Sequence, residues 1–347
     1  MEPFEISNEQ RRIFINTAQL PEAYMDAFTK ELAFRGGGMN WKKSKNKEYL
    51  FRTIDRHGNG KSIGPRSPKT KTIYQEFHTK KKRLRDDLLN LKEKLKGQAR
   101  LTKAVKSARV PQLVTAILRL LEQRQLMGRN LKVINTNALF AYEAKAGVFF
   151  ESDLTATQDK DILWDIRSRL RLWSFDNVDP AGLIGILRKA DRSFAMIGEK
   201  NFRAVNRSGY MVDLVKPEPK SIRVKESRQM GDAEDVMAAE IRNLHWLVSS
   251  PPFSQPVIGE DGFPANMIVP DPRAFALHKL WLSEQYDREP IKKNRDRAQA
   301  LAVYKLVVQY FPNLPFAPQE LKMFPKQIVT EAKSLFDKEA LPPGYGE

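Results

Sequence analysis

The strongest constraint on the fold is a change of hydrophobic period near residue 129. From there to about residue 270, short apolar runs at 131–134, 162–164, 202–205 and 210–215 alternate with helical stretches. Runs of this length between polar turns read as strands, and strands interleaved with helices read as a mixed sheet with helices packed on it. The flanks keep the helical period. Residues 9–34 form one helical stretch that breaks at Gly36-Gly37-Gly38. Ile73, Phe77, Leu84, Leu88, Leu91 and Leu95 fall at three- and four-residue steps and predict a long helix with its lysines on the other face. Another helix is predicted over 111–127, with Pro111 at its start and Gly128 at its stop. Between the first two helices, 48–55 alternates as a strand and meets a turn at 56–60, as a β-hairpin would. Helices are predicted again over 275–286 and 298–310, before a loose tail at 341–347. The expected class is α+β. Its mixed-sheet core covers 129–270, flanked by a basic helical region with a β-hairpin over 1–128 and a helical region over 271–347.

Composition adds exclusions and one positive hint. The chain has 347 residues, 41% of them hydrophobic, enough for a sizeable core. With no cysteine, disulfides, zinc ribbons and thiol nucleophiles are ruled out, and the four histidines show no paired metal-ligand spacing. No apolar run reaches the roughly 20 residues of a membrane span, and the acidic N-terminus is unlike a signal peptide. A cytoplasmic protein with no membrane partner is the expectation. Net charge is +17, and residues 61–110 hold 16 Lys and Arg against 4 Asp and Glu. Such a concentration suits a polyanion, RNA before DNA, with Lys80, Lys81, Lys82 and Arg83 as candidate contacts. A solvated helix face is the alternative.

Gly58-Asn-Gly-Lys-Ser62 imitates the end of a phosphate-binding P-loop. The pattern needs glycine at position 55, which is Asp55, and the following Gly-Pro-Arg-Ser-Pro cannot continue as a helix. A hairpin tip carrying Lys61 and Arg66, able to touch phosphate, is the better reading.

The chemistry lies between 132 and 215. Residues 132–144 read as a short strand, a polar turn at Asn135-Thr136-Asn137 and a helix, whose first amides can hold phosphate. Asp159 and Asp161, two apart on a strand, share one face. Paired carboxylates are what magnesium needs when it must also hold a triphosphate. Asp213 interrupts an apolar strand, where a lone carboxylate is costly; a metal, a salt bridge or a strand-end cap would each relieve it.

The ordered set resembles the DNA polymerase β-like nucleotidyltransferase superfamily. It is closer still to a bacterial branch of nucleotidyltransferase-fold proteins related to abortive-infection nucleotidyltransferases. The likeness extends to Gly-Met-Asn-Trp-Lys at 38–42, Gly-Pro-Arg-Ser at 64–67, Asn-Ala-Leu-Phe-Ala-Tyr-Glu at 137–143, Phe-Arg-Ala-Val-Asn at 202–206 and Asp-Pro-Arg-Ala-Phe-Ala-Leu-His-Lys-Leu at 271–280. It implies that Asp159 and Asp161 bind magnesium and the incoming nucleotide, that Asp213 completes the metal site, and that Lys279 reaches the triphosphate. Asn135 stands where the family turn usually has glycine. Lys279 could otherwise be a surface lysine, and Arg295 and Asp296 either orient it or cap the next helix. Trp164, Trp246 and Trp281 are expected in the core.

The implied function is two-magnesium transfer of a nucleotidyl group from a nucleoside triphosphate to a hydroxyl, with RNA, such as the 3′ end of tRNA, as acceptor. The alternative is a retained fold with weak or no turnover, acting as a nucleic-acid-binding module or a toxin–antitoxin-type partner.

Overall fold

The computed structural model describes residues 3–35, 37–44, 46–55, 57–128, 131–155, 159–164, 182–197, 202–218 and 235–340. The chain divides into two compact units, Arg12–Ser107 and a larger one formed by Met1–Arg11 with Ala108–Glu347. Strand β1 (Phe4–Glu5) belongs to the larger unit. The smaller unit contains most of α1 (Asn8–Arg35), strands β2 (Gly38–Ser44), β3 (Lys47–Thr53) and β4 (Gly60–Pro65), and helix α2 (Pro68–Ala104). The three strands form one antiparallel sheet in chain order. The expected hairpin is present as β3–β4, with β2 added at its edge. Lys61 sits near its tip, but Arg66 follows the far end of β4, where it pairs with Glu48. The two were expected together at the tip; Lys61 lies near the start of β4 and Arg66 just beyond its end.

Helix α2 begins where the sequence stops resisting. Ser67 accepts from Thr70 N (3.2 Å), Thr70 Oγ1 accepts from Ser67 N (2.8 Å), and Pro68 occupies the first turn. This reciprocal cap satisfies two otherwise orphaned amides. Phe77 from α2 meets Met39 and Leu50 from the sheet, with Phe34, Trp41, Ile73 and Tyr74 around them. This is the small unit's own apolar cluster.

In the larger unit, α3 (Gln112–Gln123) follows Pro111 and ends at the Arg124 cap, short of the expected Gly128. Then come β5 (Leu131–Ile134), a 3₁₀ turn over Asn135–Ala138, α4 (Leu139–Ala146), β6 (Val148–Phe149), α5 (Ser152–Thr155) and β7 (Asp159–Trp164). Next are α6 (Gly182–Ala190), β8 (Ala195–Ile197), β9 (Arg203–Val205), β10 (Met211–Pro217), β11 (Ala239–Ile241) and α7 (His245–Ser249). Strands β12 (Pro252–Ile258) and β13 (Pro264–Pro270) precede helices α8 (Pro272–Ser283), α9 (Pro290–Tyr310) and α10 (Lys326–Ala340).

The central sheet runs β5-β7-β10-β9-β8, with β11 also on β10. β7 and β11 are parallel to β10, whereas β5–β7, β9–β10 and β8–β9 are antiparallel. The sheet is mixed and the class α+β, as expected. The hairpin β12–β13 was not expected, because prolines at 252, 256, 264 and 270 argue against strands. It forms a separate two-stranded ladder beside β5. Arg295 and Asp296 were expected just ahead of the 298–310 helix; they lie inside the first turns of α9, which begins at Pro290 because proline suits a first helical position. Trp246 is in the core and Trp281 packs against it, while the side chain of Trp164 and the 341–347 tail lie outside the described residues. No described helix is long and apolar enough to cross a membrane.

Leu50→Ala should remove the centre of the small unit's cluster and cost about 2–5 kcal/mol there. Hydrogen exchange should accelerate across 38–53 while the central sheet of the larger unit keeps its protection.

Candidate active site

Backbone register brings the sequence motifs to one level of the sheet. Ile134, the last residue of β5, pairs with Asp161 on β7, and Asp161 pairs with Asp213 on β10. Met211 pairs with Asp159, two residues earlier on the same strands. The turn at 135–138 therefore leaves the sheet directly beside the two carboxylate positions. The side chains of Asn135, Asp159 and Asp161 lie outside the described residues.

Strand β10 is buried along nearly its whole length, so Asp213 needs compensation. The structure supplies it from β9. Arg203, the register partner of Asp213, donates from Nε to Oδ1 (2.7 Å) and from Nη2 to Oδ2 (2.6 Å). This is the fork-on-fork arrangement that a guanidinium makes with a carboxylate. Of the three ways of relieving Asp213 set out above, the salt bridge is present.

Across the turn, Thr136 and Asn137 are buried. Gln299 of α9 donates from Nε2 to Thr136 Oγ1 (3.0 Å) and to Leu154 O (2.8 Å), tying the turn to α5. One turn earlier on α9, Asp296 is fully buried and accepts from Lys279 Nζ (2.6 Å). Its other oxygen accepts from Arg288, at 2.8 Å from Nε and 2.7 Å from Nη2. Lys279 is thus a buried lysine held by Asp296, and Asp296 does not cap α9. Gln299, Arg288 and Arg203 had been missed. Their partners are 163, 8 and 10 residues away in sequence, and no local spacing announces such contacts.

A family model described as nucleotidyltransferase matches residues 112–323. The chain belongs to the nucleotidyltransferase family. The match spans the turn, both Asp-bearing strands and the Lys279 helix, and leaves the smaller unit outside. Comparisons with curated proteins and with solved structures returned no match. The protein is thereby a nucleotidyltransferase, an enzyme whose family uses a nucleoside triphosphate and generally a divalent metal.

One buried ionic group of the nucleotidyltransferase unit is gathered around Asp296. Burial pulls the Lys279 ammonium pKa down, and the facing Asp296 carboxylate opposes that pull. One carboxylate faces two cations, which leaves the group one positive charge in excess. His278, its neighbour, is buried against the adjoining rings of Trp246 and Trp281, and its Nε2 has no hydrogen-bond partner among the described residues. Burial drives its pKa down to about 3, assisted by Lys279 and Arg288 and opposed by Asp296. It is a neutral imidazole at ordinary pH.

The remaining candidates belong to the smaller unit. Lys61, Arg66, Lys80, Lys82 and Arg83 are exposed, and Lys81 is half-buried, donating to Gly37 O (3.0 Å). Within Arg12–Ser107, 24 Lys and Arg face 9 Asp and Glu, so this unit holds +15 of the whole chain's +17.

The depressed His278 pKa has a definite sign. The unfolded chain takes the proton near 6.5 and the folded site only near 3, so falling pH favours unfolding between those values. Stability should drop by about 1.4 kcal/mol per pH unit through that window from this group alone. His278→Phe, which keeps an aromatic ring against the two tryptophans, should flatten the slope in denaturant titrations run from pH 7 to pH 4.

Proposed function

We propose that this nucleotidyltransferase uses two magnesium ions, held by Asp159, Asp161 and Asp213, to move a nucleotidyl group from a nucleoside triphosphate onto a hydroxyl of RNA, with pyrophosphate as the leaving group. The observation carrying this reading is the register Ile134–Asp161–Asp213, one level across three adjacent strands. The donor set fits the metal, because carboxylate oxygens are hard ligands that share magnesium with phosphate. Arg203 already compensates Asp213, so a magnesium ion there would share this carboxylate with the guanidinium or displace it. Magnesium bound there supplies charge neutralisation for the triphosphate and acidification of the acceptor hydroxyl.

The chain's own residues do the remaining work in this reading. Thr136, Asn137 and the backbone amides of the turn receive phosphate oxygens, with Thr136 steadied by Gln299. Asn135 replaces the glycine expected there and takes the right-handed 3₁₀ backbone of the turn, which any residue can adopt. Lys279 offers a compact positive charge to the triphosphate, and its excess-cation surroundings suit an anion. Asp213 accepts the acceptor's proton. Support for RNA is the +15 of the smaller unit, including exposed Lys61, Arg66, Lys80, Lys82 and Arg83 beside Lys81.

The test incubates purified protein with each labelled nucleoside triphosphate, magnesium and total RNA. Label should enter RNA only with magnesium. Asp161→Asn should abolish it by a hundredfold or more, since metal stabilisation is worth several kcal/mol and each 1.36 kcal/mol is about tenfold. Its thermal midpoint without magnesium should be unchanged or higher, because clustered carboxylates repel. Asn135→Gly should leave activity intact or raise it. Label entering protein instead would refute the RNA acceptor, and wild-type protein that neither binds nor transfers nucleotide would refute the metal-site assignment.

A further inference from the structure

Strand β3 alternates across its pleat. Leu50 is fully buried against Met39 and Phe77, on the face that α2 covers. Its neighbours Tyr49 and Phe51 therefore belong to the opposite face. Their register partners there are Lys42 and Asn40 on β2, and Pro65 and Ser62 on β4. Both rings are half-buried, and neither is part of the unit's apolar cluster. A side-chain carbon at Gly60 would collide with Arg52 O and come within 2.9 Å of Phe51 Cε1, so the glycine is required by the backbone of β3 and also leaves room for the ring beside β4. Lys42 Nζ stands 3.7 Å from the centroid of the Phe51 ring. At the bulge between Leu50 and Phe51, Ile63 is displaced and 37% exposed.

Two aromatic rings on an outward sheet face do nothing for the core. In a unit of net charge +15 they combine with cations in the way unpaired nucleotides require: a ring for each base and a positive charge for the phosphates. A duplex hides its base faces and would use only the charge. We infer that the outer face of the β2–β3–β4 sheet binds single-stranded RNA, with a base stacked on Tyr49 and another on Phe51 as Lys42 moves from that ring to the RNA backbone. This deepens the RNA-acceptor reading and rests on it.

Full-length protein is titrated into a labelled single-stranded RNA of about twelve nucleotides, into the same sequence as duplex, and into polyglutamate, at several salt concentrations. Magnesium-dependent nucleoside triphosphate binding is measured in parallel. The parent should prefer the single strand. Tyr49→Ala combined with Phe51→Leu, which keeps apolar contact at Gly60, should weaken single-strand binding about tenfold or more. The salt slope, the duplex affinity and the triphosphate binding should not change. Tyr49→Ala alone, whose ring is not seated on Gly60, should still cost several-fold, and circular dichroism should match the parent. Equal binding by parent and variant, equal loss for single strand and duplex, or ring-dependent preference for polyglutamate would each overturn the inference. A parent that binds triphosphate but no RNA would overturn the inference and the RNA acceptor together. Ring-dependent single-strand binding without triphosphate binding would uphold the platform and fail the metal-site reading alone.

Discussion

The larger unit depends on one buried carboxylate. Asp296 has no solvent exposure, and an uncompensated charge there would cost several kcal/mol. Lys279 from α8 and Arg288 from the α8–α9 connection both close on it, so the two helices cannot separate without stranding an ion. Deleting a partner from such a group is far more damaging than replacing the whole group with apolar side chains. The arrangement is therefore a poor source of net stability but a strong constraint on geometry. It fixes the Lys279 ammonium, and through Gln299 on the same face of α9 it fixes Thr136 in the turn after β5. One helix thus governs both the lysine and the turn.

The sheet poses the same problem and solves it differently. Asp213 lies in a strand whose neighbours Val212 and Leu214 are fully buried, and a two-point pair with Arg203 satisfies both of its oxygens. Arg203 is partly exposed, so this pair is screened more than the Asp296 group and is worth less. Further along β10, Lys216 is also buried and pairs with Glu240 of β11 at 3.4 Å. Both charged residues on β10 are thus answered from the strands that flank it, β9 on one stretch and β11 on the next.

These pairings also explain what could be read from the sequence. Apolar run length and turn residues were enough to locate β5, β7, β9 and β10, because each is an uninterrupted run in the sequence. The spacing of Asp159 and Asp161 was visible because it is local. Hairpin β12–β13 escaped because Pro252, Pro256, Pro264 and Pro270 mimic a loop; paired with a single partner strand, they need no amide donor on the outer side. The starts of α8 and α9 were set several residues late, because Pro272 and Pro290 look like stops and act as first-turn residues. Gln299 left one usable trace. Asp296, Gln299, Ala300, Val303 and Val307 follow a helical step along a single buried face, and two polar residues on such a face need buried partners. The pairing of Asp296 with Lys279 was one of the two alternatives the sequence offered, whereas nothing in the sequence indicated Thr136 as the partner of Gln299.

The uneven distribution of charge gives the two units different physics. Outside Arg12–Ser107 the chain holds 35 Lys and Arg against 33 Asp and Glu, so the nucleotidyltransferase unit has almost no long-range field of its own. Any pull on a triphosphate must come from a few cations at close range, in surroundings where burial limits screening. Lys279 and Arg288 beside Asp296 meet that description, with one positive charge left over. The smaller unit works through many exposed cations, whose attraction extends about 10 Å at 0.1 M salt and fades as salt rises. Ionic strength should therefore separate the two interactions within one molecule. In the proposed reading, attraction of RNA to the basic unit should weaken steeply with salt, whereas capture of a triphosphate by buried Lys279 and partly exposed Arg288 should change less.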